Sequence, residues 1–181
     1  MATREILGAL DPYLRTISNP VETIDDSTRA LVAEMFETMY EAPGIGLAAI
    51  QIGVPQRILV IDLQRPDLDA AAEGEEPPPL REPRVFINPE ILWESEDYVS
   101  YNEGCLSVPD LYADVERPSR IRAKWLDLDG DTHEAEIDGM LATCLQHEID
   151  HLDGVLFIDY LSKLKRDMFV KKLMKAQRKA A

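Results

Sequence analysis

The stretch Gln146-His147-Glu148-Ile149-Asp150-His151 contains two of the chain's three histidines, four positions apart, with a glutamate directly after the first. Four residues complete slightly more than one turn of α-helix, so His147 and His151 share a face and can converge on one divalent ion. Glu148 lies beside that face and can exchange a proton with water instead of binding the metal. The spacing predicts a metal-dependent hydrolase built on a buried helix. The apolar flanking sequence disfavours the alternative, a solvated helix with two chance histidines.

A third ligand would separate the classes of metal-dependent hydrolase. Glu148 is the last glutamate in the chain, which excludes the zinc peptidases that take a glutamate from a later helix. Phe157 occupies the position where the longer HExxHxxGxxH pattern has its final histidine, and phenylalanine cannot bind a metal. Asp159 and Asp167 remain open as downstream ligands, although no spacing supports them.

Three upstream side chains have suitable chemistry: His133, Cys144 and Cys105. Cys144 lies seven residues before His151, about 10.5 Å along a helix axis, so we expect it in the wall of the site. His133 follows the turn signal Asp129-Gly130, which predicts an exposed position. Cys105 is the remaining candidate, although its surroundings alone carry little weight.

Cys105 lies in the segment Glu103-Gly104-Cys105-Leu106-Ser107, and an earlier segment reads Gly44-Ile45-Gly46-Leu47-Ala48-Ala49-Ile50-Gln51. Together with the histidine segment, these stretches resemble the peptide deformylase family, whose motifs are G-x-G-L-A-A-x-Q, E-G-C-L-S and Q-H-E-x-D-H-L. All three motifs are matched in full and in the family's order. The resemblance runs from Asp11 through the C-terminal helix.

The resemblance implies a role for each motif residue. Cys105, His147 and His151 would bind the metal and leave its fourth position open. Glu148 would act as general base and then general acid. The Gln51 side-chain amide and the Leu106 backbone N–H would donate hydrogen bonds to the carbonyl oxygen as it gains negative charge. The implied reaction releases formate from the N-formylmethionine that begins new bacterial polypeptides.

Residues near the motifs are expected to bind this substrate. The methionine side chain needs an apolar pocket, and the expected lining is Ile45, Tyr101, Leu106, Thr143 and Cys144. The extended substrate backbone is expected to pair with strand edges at Gly44 to Gly46 and Tyr101 to Glu103.

Ligand chemistry leaves the metal's identity open, because two imidazoles and a thiolate suit zinc, iron, nickel or cobalt. The family resemblance implies ferrous iron in the native enzyme, replaced by zinc or nickel in many preparations. Oxidation of ferrous iron and of the Cys105 thiolate would then cost activity in air.

Charge and composition predict a cytoplasmic protein. Two cysteines give no disulfide framework, no stretch approaches 18 apolar residues, and no apolar segment follows the N-terminal charges as in a signal peptide. The net charge of −15 makes nucleic-acid binding by the body of the protein unfavourable.

The C-terminal segment from Leu161 to Ala181 differs in charge, with Asp167 as its single acidic residue and eight basic ones: Lys163, Lys165, Arg166, Lys171, Lys172, Lys175, Arg178 and Lys179. Leu161, Leu164 and Met168 have helical spacing, which predicts a basic helix that docks through this face. Two interpretations stay open. The helix either compensates charge as a solvated face or contacts ribosomal RNA, as the family resemblance also implies.

The remaining patterns predict an α+β fold of mainly antiparallel sheets around the histidine-bearing helix, with an N-terminal and a C-terminal helix. The N-terminal helix is expected to begin at the cap signal Asp25-Asp26-Ser27-Thr28. Strands are expected at 58–63, 85–87, 121–128 and 132–137. Asp138 is expected to cap the central helix and Gly154 to end it. Residues 1–181 are expected to form one catalytic domain, with a proline-rich mobile loop at 64–84.

Two rival functions use only part of this pattern. A zinc endopeptidase would share the HExxH chemistry but should have a downstream third ligand. A ribosome-binding module without catalysis would need the basic tail, but it would not need Glu148 and Gln51.

Overall fold

The computed structural model describes residues 3–181; Met1 and Ala2, which belong to the predicted single domain, lie outside the described residues. The helices within this range are α1 (Asp26–Glu41), α2 (Gly139–Leu152) and α3 (Lys163–Ala180). The strands are β1 (Gly46–Ala48), β2 (Ile58–Ile61), β3 (Arg84–Glu94), β4 (Tyr98–Cys105), β5 (Val108–Pro118), β6 (Arg120–Leu126) and β7 (Thr132–Asp138). Short 3-10 helices span Pro12–Arg15, Ala49–Ile52 and Phe157–Tyr160.

All strand pairings between these elements are antiparallel. Five strands form one sheet in the order β1-β2-β3-β6-β7, and β4 pairs with β5 as a separate two-stranded ribbon. The predicted α+β class, with antiparallel sheets around α2, is confirmed. The strand predicted at 85–87 is longer than expected, because β3 continues to Glu94 through register shifts after Ile87.

The central helix α2 packs against β1, β2 and β7 of the large sheet and against β5 of the ribbon. It begins after Asp138 as predicted, but the Asp138 side chain makes no capping hydrogen bond. It ends as predicted before Gly154, whose φ of 74° is a left-handed conformation that suits glycine. Structure on both sides explains why this helix is buried almost all round.

The N-terminal helix is confirmed where the sequence predicted it. The Asp25 carboxylate accepts a hydrogen bond from the Thr28 amide at 3.1 Å and caps α1. Val32, Met35 and Met39 are buried on one face and pack against β2. The helix also contacts β1, which begins at Gly46.

The predicted docking face of the C-terminal helix is wrong in part. Leu164 and Met168 are 72% and 49% exposed, and Phe169 and Leu173 are buried instead. The Phe169 ring lies 6.4 Å from the Phe157 ring, so the larger aromatic side chain takes the inward face. Most basic residues of α3 are therefore exposed, together with the apolar side chains of Leu164, Met168 and Met174. No helix among residues 3–181 has the length and hydropathy needed to cross a membrane.

The proline-rich loop predicted at 64–84 ends one residue earlier, because Arg84 begins β3; residues 64–83 form none of the named helices or strands, but the two arms of the loop are joined by hydrogen bonds. The Leu80 amide donates to the Arg65 carbonyl at 2.7 Å, and the Asp67 amide donates to the Pro78 carbonyl at 2.8 Å. Mobility of the part beyond these bonds stays a prediction.

Candidate metal centre and active site

Three donor atoms from two separate elements converge at the end of the β4–β5 ribbon. One metal-binding atom each of Cys105, His147 and His151 lies within 4.8 Å of the other two. The Cys105 Sγ, where β4 ends, is 3.3 Å from the His151 Nε2 on α2. One sulfur and two imidazole nitrogens at these separations suit a divalent transition metal.

The other candidate ligands are engaged elsewhere. His133 contacts the Asp127 carboxylate at 2.6 Å and stacks on Trp125 in an exposed part of the sheet. Asp159 pairs with Arg15. Cys144 is buried in α2, and burial raises the pKa of its thiol well above the ordinary value, so it stays protonated. Asp167 is not among the residues brought together at this centre.

His147 is oriented by a carboxylate behind it. Its Nδ1 lies 2.8 Å from the Glu103 carboxylate. Burial alone would raise the pKa of Glu103, but the hydrogen bonds from His147 and Arg117 outweigh it and hold the pKa below its ordinary value. Because Glu103 is ionised and can only accept, Nδ1 must donate, so Nε2 is the nitrogen that can face a metal. Burial would lower the pKa of His147, but its hydrogen bonds to Cys105 and Glu103 raise it well above the ordinary value, so a metal would displace a proton from Nε2.

Arg117 binds the Glu103 carboxylate in turn, and none of the three sequence motifs contains this arginine. Its Nε and Nη2 donate to the two Glu103 oxygens at 2.7 and 2.9 Å, and its Nη1 donates to Asp150 at 2.8 Å. Tyr160 donates to the same Asp150 oxygen, and its ring lies beside the guanidinium. Burial would lower the pKa of Arg117, but these carboxylates raise it above the ordinary value. No sequence signal indicated Arg117, because the strand that carries it, β5, was not among the predicted strands.

Glu148 has one of four buried side-chain polar atoms without a hydrogen-bond partner among the described residues; the others belong to Ser18, Thr143 and His151. Its Oε2 is buried and has no hydrogen-bond partner within residues 3–181. Its Oε1 lies against Gly46, where an added Cβ would come within 2.5 Å of it. Burial raises the pKa of Glu148 to about 7. A carboxyl with such a pKa can both accept and release a proton near neutrality.

The predicted oxyanion donors lie at the same end of the ribbon. The Gln51 Oε1 accepts from the Ala48 amide at 2.9 Å, and its Nε2 donates to Ser107 Oγ at 3.0 Å and lies 3.7 Å from Cys105 Sγ. Leu106 follows Cys105 in the turn between β4 and β5. The Gln51 amide is thereby fixed at the rim of the metal centre.

The residues predicted to bind substrate border this centre in different ways. β1 and β4 are edge strands, so the backbones near Gly46 and Tyr101 each have one side without a strand partner among residues 3–181. Gly44 is buried against the Leu106 side chain, and Ile45 is 40% exposed. Thr143 and Cys144 are buried on α2 one turn before His147. Glu103 differs, because its side chain is committed to Arg117 and His147.

The site accommodates a cation chemically as well as geometrically. Burial and the proximity of His147 hold the pKa of His151 well below its ordinary value, so its imidazole is neutral, as a metal ligand must be. The buried Glu148 Oε2 accepts no hydrogen bond from the described residues. These features fit a metal with a nearby water better than a closed structural core.

Comparisons with known proteins agree with this geometry. The family model for polypeptide deformylase matches residues 3–167. A peptide deformylase of Rhizorhabdus wittichii is 65% identical over 98% of this chain and 97% of its own length. One from Novosphingobium aromaticivorans is 61% identical over 100% of both chains. The crystal structure of peptide deformylase from Ehrlichia chaffeensis superposes with a TM-score of 0.88 at 43% identity, covering 99% of each chain. The match in sequence, in fold and over nearly the whole length shows that this chain belongs to the polypeptide deformylase family.

Proposed function

We propose that Cys105, His147 and His151 hold the divalent metal of this hydrolase, which removes the formyl group from the N-terminal formylmethionine of newly made polypeptides and releases formate. The observation that carries the assignment is the buried, unpartnered Glu148 oxygen beside three convergent donor atoms. When bound, the metal supplies Lewis-acid polarisation of the formyl carbonyl and acidifies a water.

Glu148 performs the proton transfers. It takes a proton from the water that attacks the formyl carbon and delivers it to the methionine nitrogen as the C–N bond breaks. The products are formate and a free amino terminus. The Glu148 carboxyl is buried against Gly46 and kept out of bulk water. Its raised pKa lets it both accept and release a proton.

Gln51 and Leu106 stabilise the negative charge that develops on the formyl oxygen. The Gln51 Nε2 is held by Ser107, so little reorganisation is needed when charge develops. The Leu106 amide follows directly after the Cys105 ligand in the chain. Fixed donors of this kind typically contribute about 3 to 4 kcal/mol to the barrier reduction.

The methionine side chain enters an apolar pocket beside α2, lined by Ile45, Tyr101, Thr143 and Cys144, with Leu106 at its edge. Met140 joins this lining, because it is 44% exposed and lies one turn before Cys144 on the ligand-bearing face. The substrate backbone adds as a strand between the open edges at Gly44 to Gly46 and Tyr101 to Glu103.

Ferrous iron is the proposed native metal, because a thiolate with two imidazoles accommodates it and the family resemblance favours it. Zinc, nickel or cobalt can occupy the same ligands. We also propose that the protein acts in the cytoplasm, where new chains emerge and reducing conditions preserve the Cys105 thiolate. The outward basic face of α3 supports contact with ribosomal RNA.

Formate release from a formylmethionyl peptide tests the function directly. The metal-loaded enzyme should release formate and leave internal peptide bonds intact, which separates it from an endopeptidase. Glu148→Ala should retain its metal and lose roughly a hundred- to ten-thousandfold in rate. Rapid formate release by a metal-loaded Glu148→Ala enzyme would overturn the role of Glu148.

A further inference from the structure

A chain of side chains connects the arms of the 64–84 loop to the segment proposed to bind the substrate. Gln64 Nε2 donates to the Gly44 carbonyl at 2.8 Å, and its Oε1 accepts from Arg81 Nη1 at 2.8 Å. Gln64 thus uses both ends of its amide, one toward the start of the Gly44 to Gly46 segment and one toward the far arm of the loop.

Arg81 is fixed on its other side by an aromatic ring. Its guanidinium carbon lies 4.0 Å from the centre of the Tyr40 ring. The Tyr40 hydroxyl donates to the Asp62 Oδ2 at 2.6 Å. The Asp62 Oδ1 accepts from the Gln64 and Glu82 amides at 3.1 and 3.2 Å. Both arms of the loop are therefore fastened to one fully buried carboxylate.

The same cluster fixes the backbone of the neighbouring segment. The Asp62 amide donates to the Ile45 carbonyl at 2.9 Å, and the Gly44 amide donates to the Met39 carbonyl at 2.9 Å. Gln64 adds its side-chain bond to the Gly44 carbonyl. Gln64 itself has a φ of 49°, a left-handed conformation that turns the chain sharply.

The geometry points to Gln64 and Arg81 as positioning residues for the substrate: Gln64 holds the Gly44 carbonyl, and with it the edge at Gly44 to Gly46, and Arg81 holds Gln64. This inference rests on the proposed substrate pairing along that edge. The hydrogen bonds of both side chains go to the loop and to Gly44, away from the metal ligands, so they should act on binding of the extended substrate more than on the chemical step.

Gln64→Glu tests the bond to Gly44 selectively. A carboxylate at position 64 still accepts from Arg81, but it has no hydrogen to donate to the Gly44 carbonyl. We expect KM for a formylmethionyl tripeptide to rise about three- to tenfold, as for the loss of one hydrogen bond, with kcat within about twofold. Arg81→Met should raise KM in the same direction by a smaller factor, and Arg81→Lys should restore part of the loss.

Arg65→Met is the matched control, because it removes the same charge from the same loop. The Arg65 side chain is exposed and pairs with Glu82 at 3.5 Å, away from Gln64. It should leave KM unchanged. If Arg81 acts through Gln64, Arg81→Met should add little to KM in the Gln64→Glu background.

The outcomes separate this inference from the proposed function. Wild-type enzyme that releases no formate would refute the function itself. Active wild type with unchanged KM in both Gln64→Glu and Arg81→Met would overturn the positioning role alone. A fall in kcat together with a lower melting temperature, at constant KM, would also overturn it, because that pattern reports a purely structural contact.

Discussion

The Arg117 guanidinium binds both oxygens of Glu103, at 2.7 and 2.9 Å, in a region where each side chain is less than 7% exposed. Glu103 in turn contacts His147 at 2.8 Å. The orientation of His147, a proposed metal ligand, thus depends on an arginine from β5.

Replacing Arg117 by methionine should be costly, because Glu103 would remain buried without its cationic partner. We expect a loss of about 3 to 5 kcal/mol in the free energy of unfolding, measured by urea denaturation. Metal affinity, measured by chelator competition, should fall roughly ten- to a hundredfold. Arg120→Met is the control, since Arg120 is 49% exposed and should cost less than about 1 kcal/mol. Equal losses in the two variants would contradict the prediction.

Gln51→Leu removes the proposed side-chain donor to the formyl oxygen while keeping its approximate volume. The rate constant kcat should fall roughly a hundred- to thousandfold, with metal content unchanged. Ser107→Ala removes the group that holds the Gln51 amide at 3.0 Å and should cost much less, since the donor itself remains. A larger loss from Ser107→Ala than from Gln51→Leu would reverse the assignment.

Gly46→Ala probes the packing between β1 and the proposed base. The new Cβ would lie 2.5 Å from the Glu148 Oε1, and that carboxyl is buried and has little room to move. Displacement of Glu148 should lower kcat roughly a hundredfold, as for misplacement of a reacting group by about 1 Å. Gly8→Ala is the control, because nothing lies within 4 Å of the Cβ it would add. Full activity in Gly46→Ala would rule out a tightly held Glu148.

Removal of the metal should abolish formate release and lower the melting temperature, because the ligands come from two elements that the cation would join. Adding back a divalent metal should restore both.

Reconstitution with iron under anaerobic conditions should give higher activity than reconstitution with zinc, and the activity of the iron enzyme should then decay in air. Equal activity of the aerobic zinc enzyme would remove the case for iron.

The basic face of α3 should mediate binding to ribosomes. Alanine at exposed Lys171, Lys172 and Lys175 avoids the buried Leu173, which a deletion of the tail would also remove. Affinity should fall, and the slope of its salt dependence should decrease by roughly one for each lysine–phosphate ion pair that the substitutions remove. Catalysis on a short peptide should not change. Unchanged affinity and salt dependence would refute docking by this face.

The sequence predicted best those features whose geometry is set within a single helix or turn. The His147 to His151 spacing specifies a shared helical face, and the cap signal that begins at Asp25 and the glycine at 154 delimit helices through local interactions. Arg117 escaped prediction because its partners, Glu103 and Asp150, come from a different strand and from α2. The inward face of α3 was misassigned because Leu164 and Phe169 both belong to apolar sets with helical spacing. The sequence alone does not show that Phe157 lies against this helix and contacts Phe169.

The β4–β5 ribbon forms no strand pairing with the large sheet within residues 3–181, and two-stranded ribbons are marginal alone in water. Val108, Ala113 and Val115 of the ribbon pack in the main core, and the bonds of Arg117 to Asp150, Glu103 to His147 and Gln51 to Ser107 add polar attachments at the proposed catalytic centre. Assembly of the reactive geometry and docking of the ribbon are consequently one event. Partial unfolding that detaches the ribbon would abolish activity before the large sheet unfolds. On heating, activity should therefore be lost at a lower temperature than secondary structure.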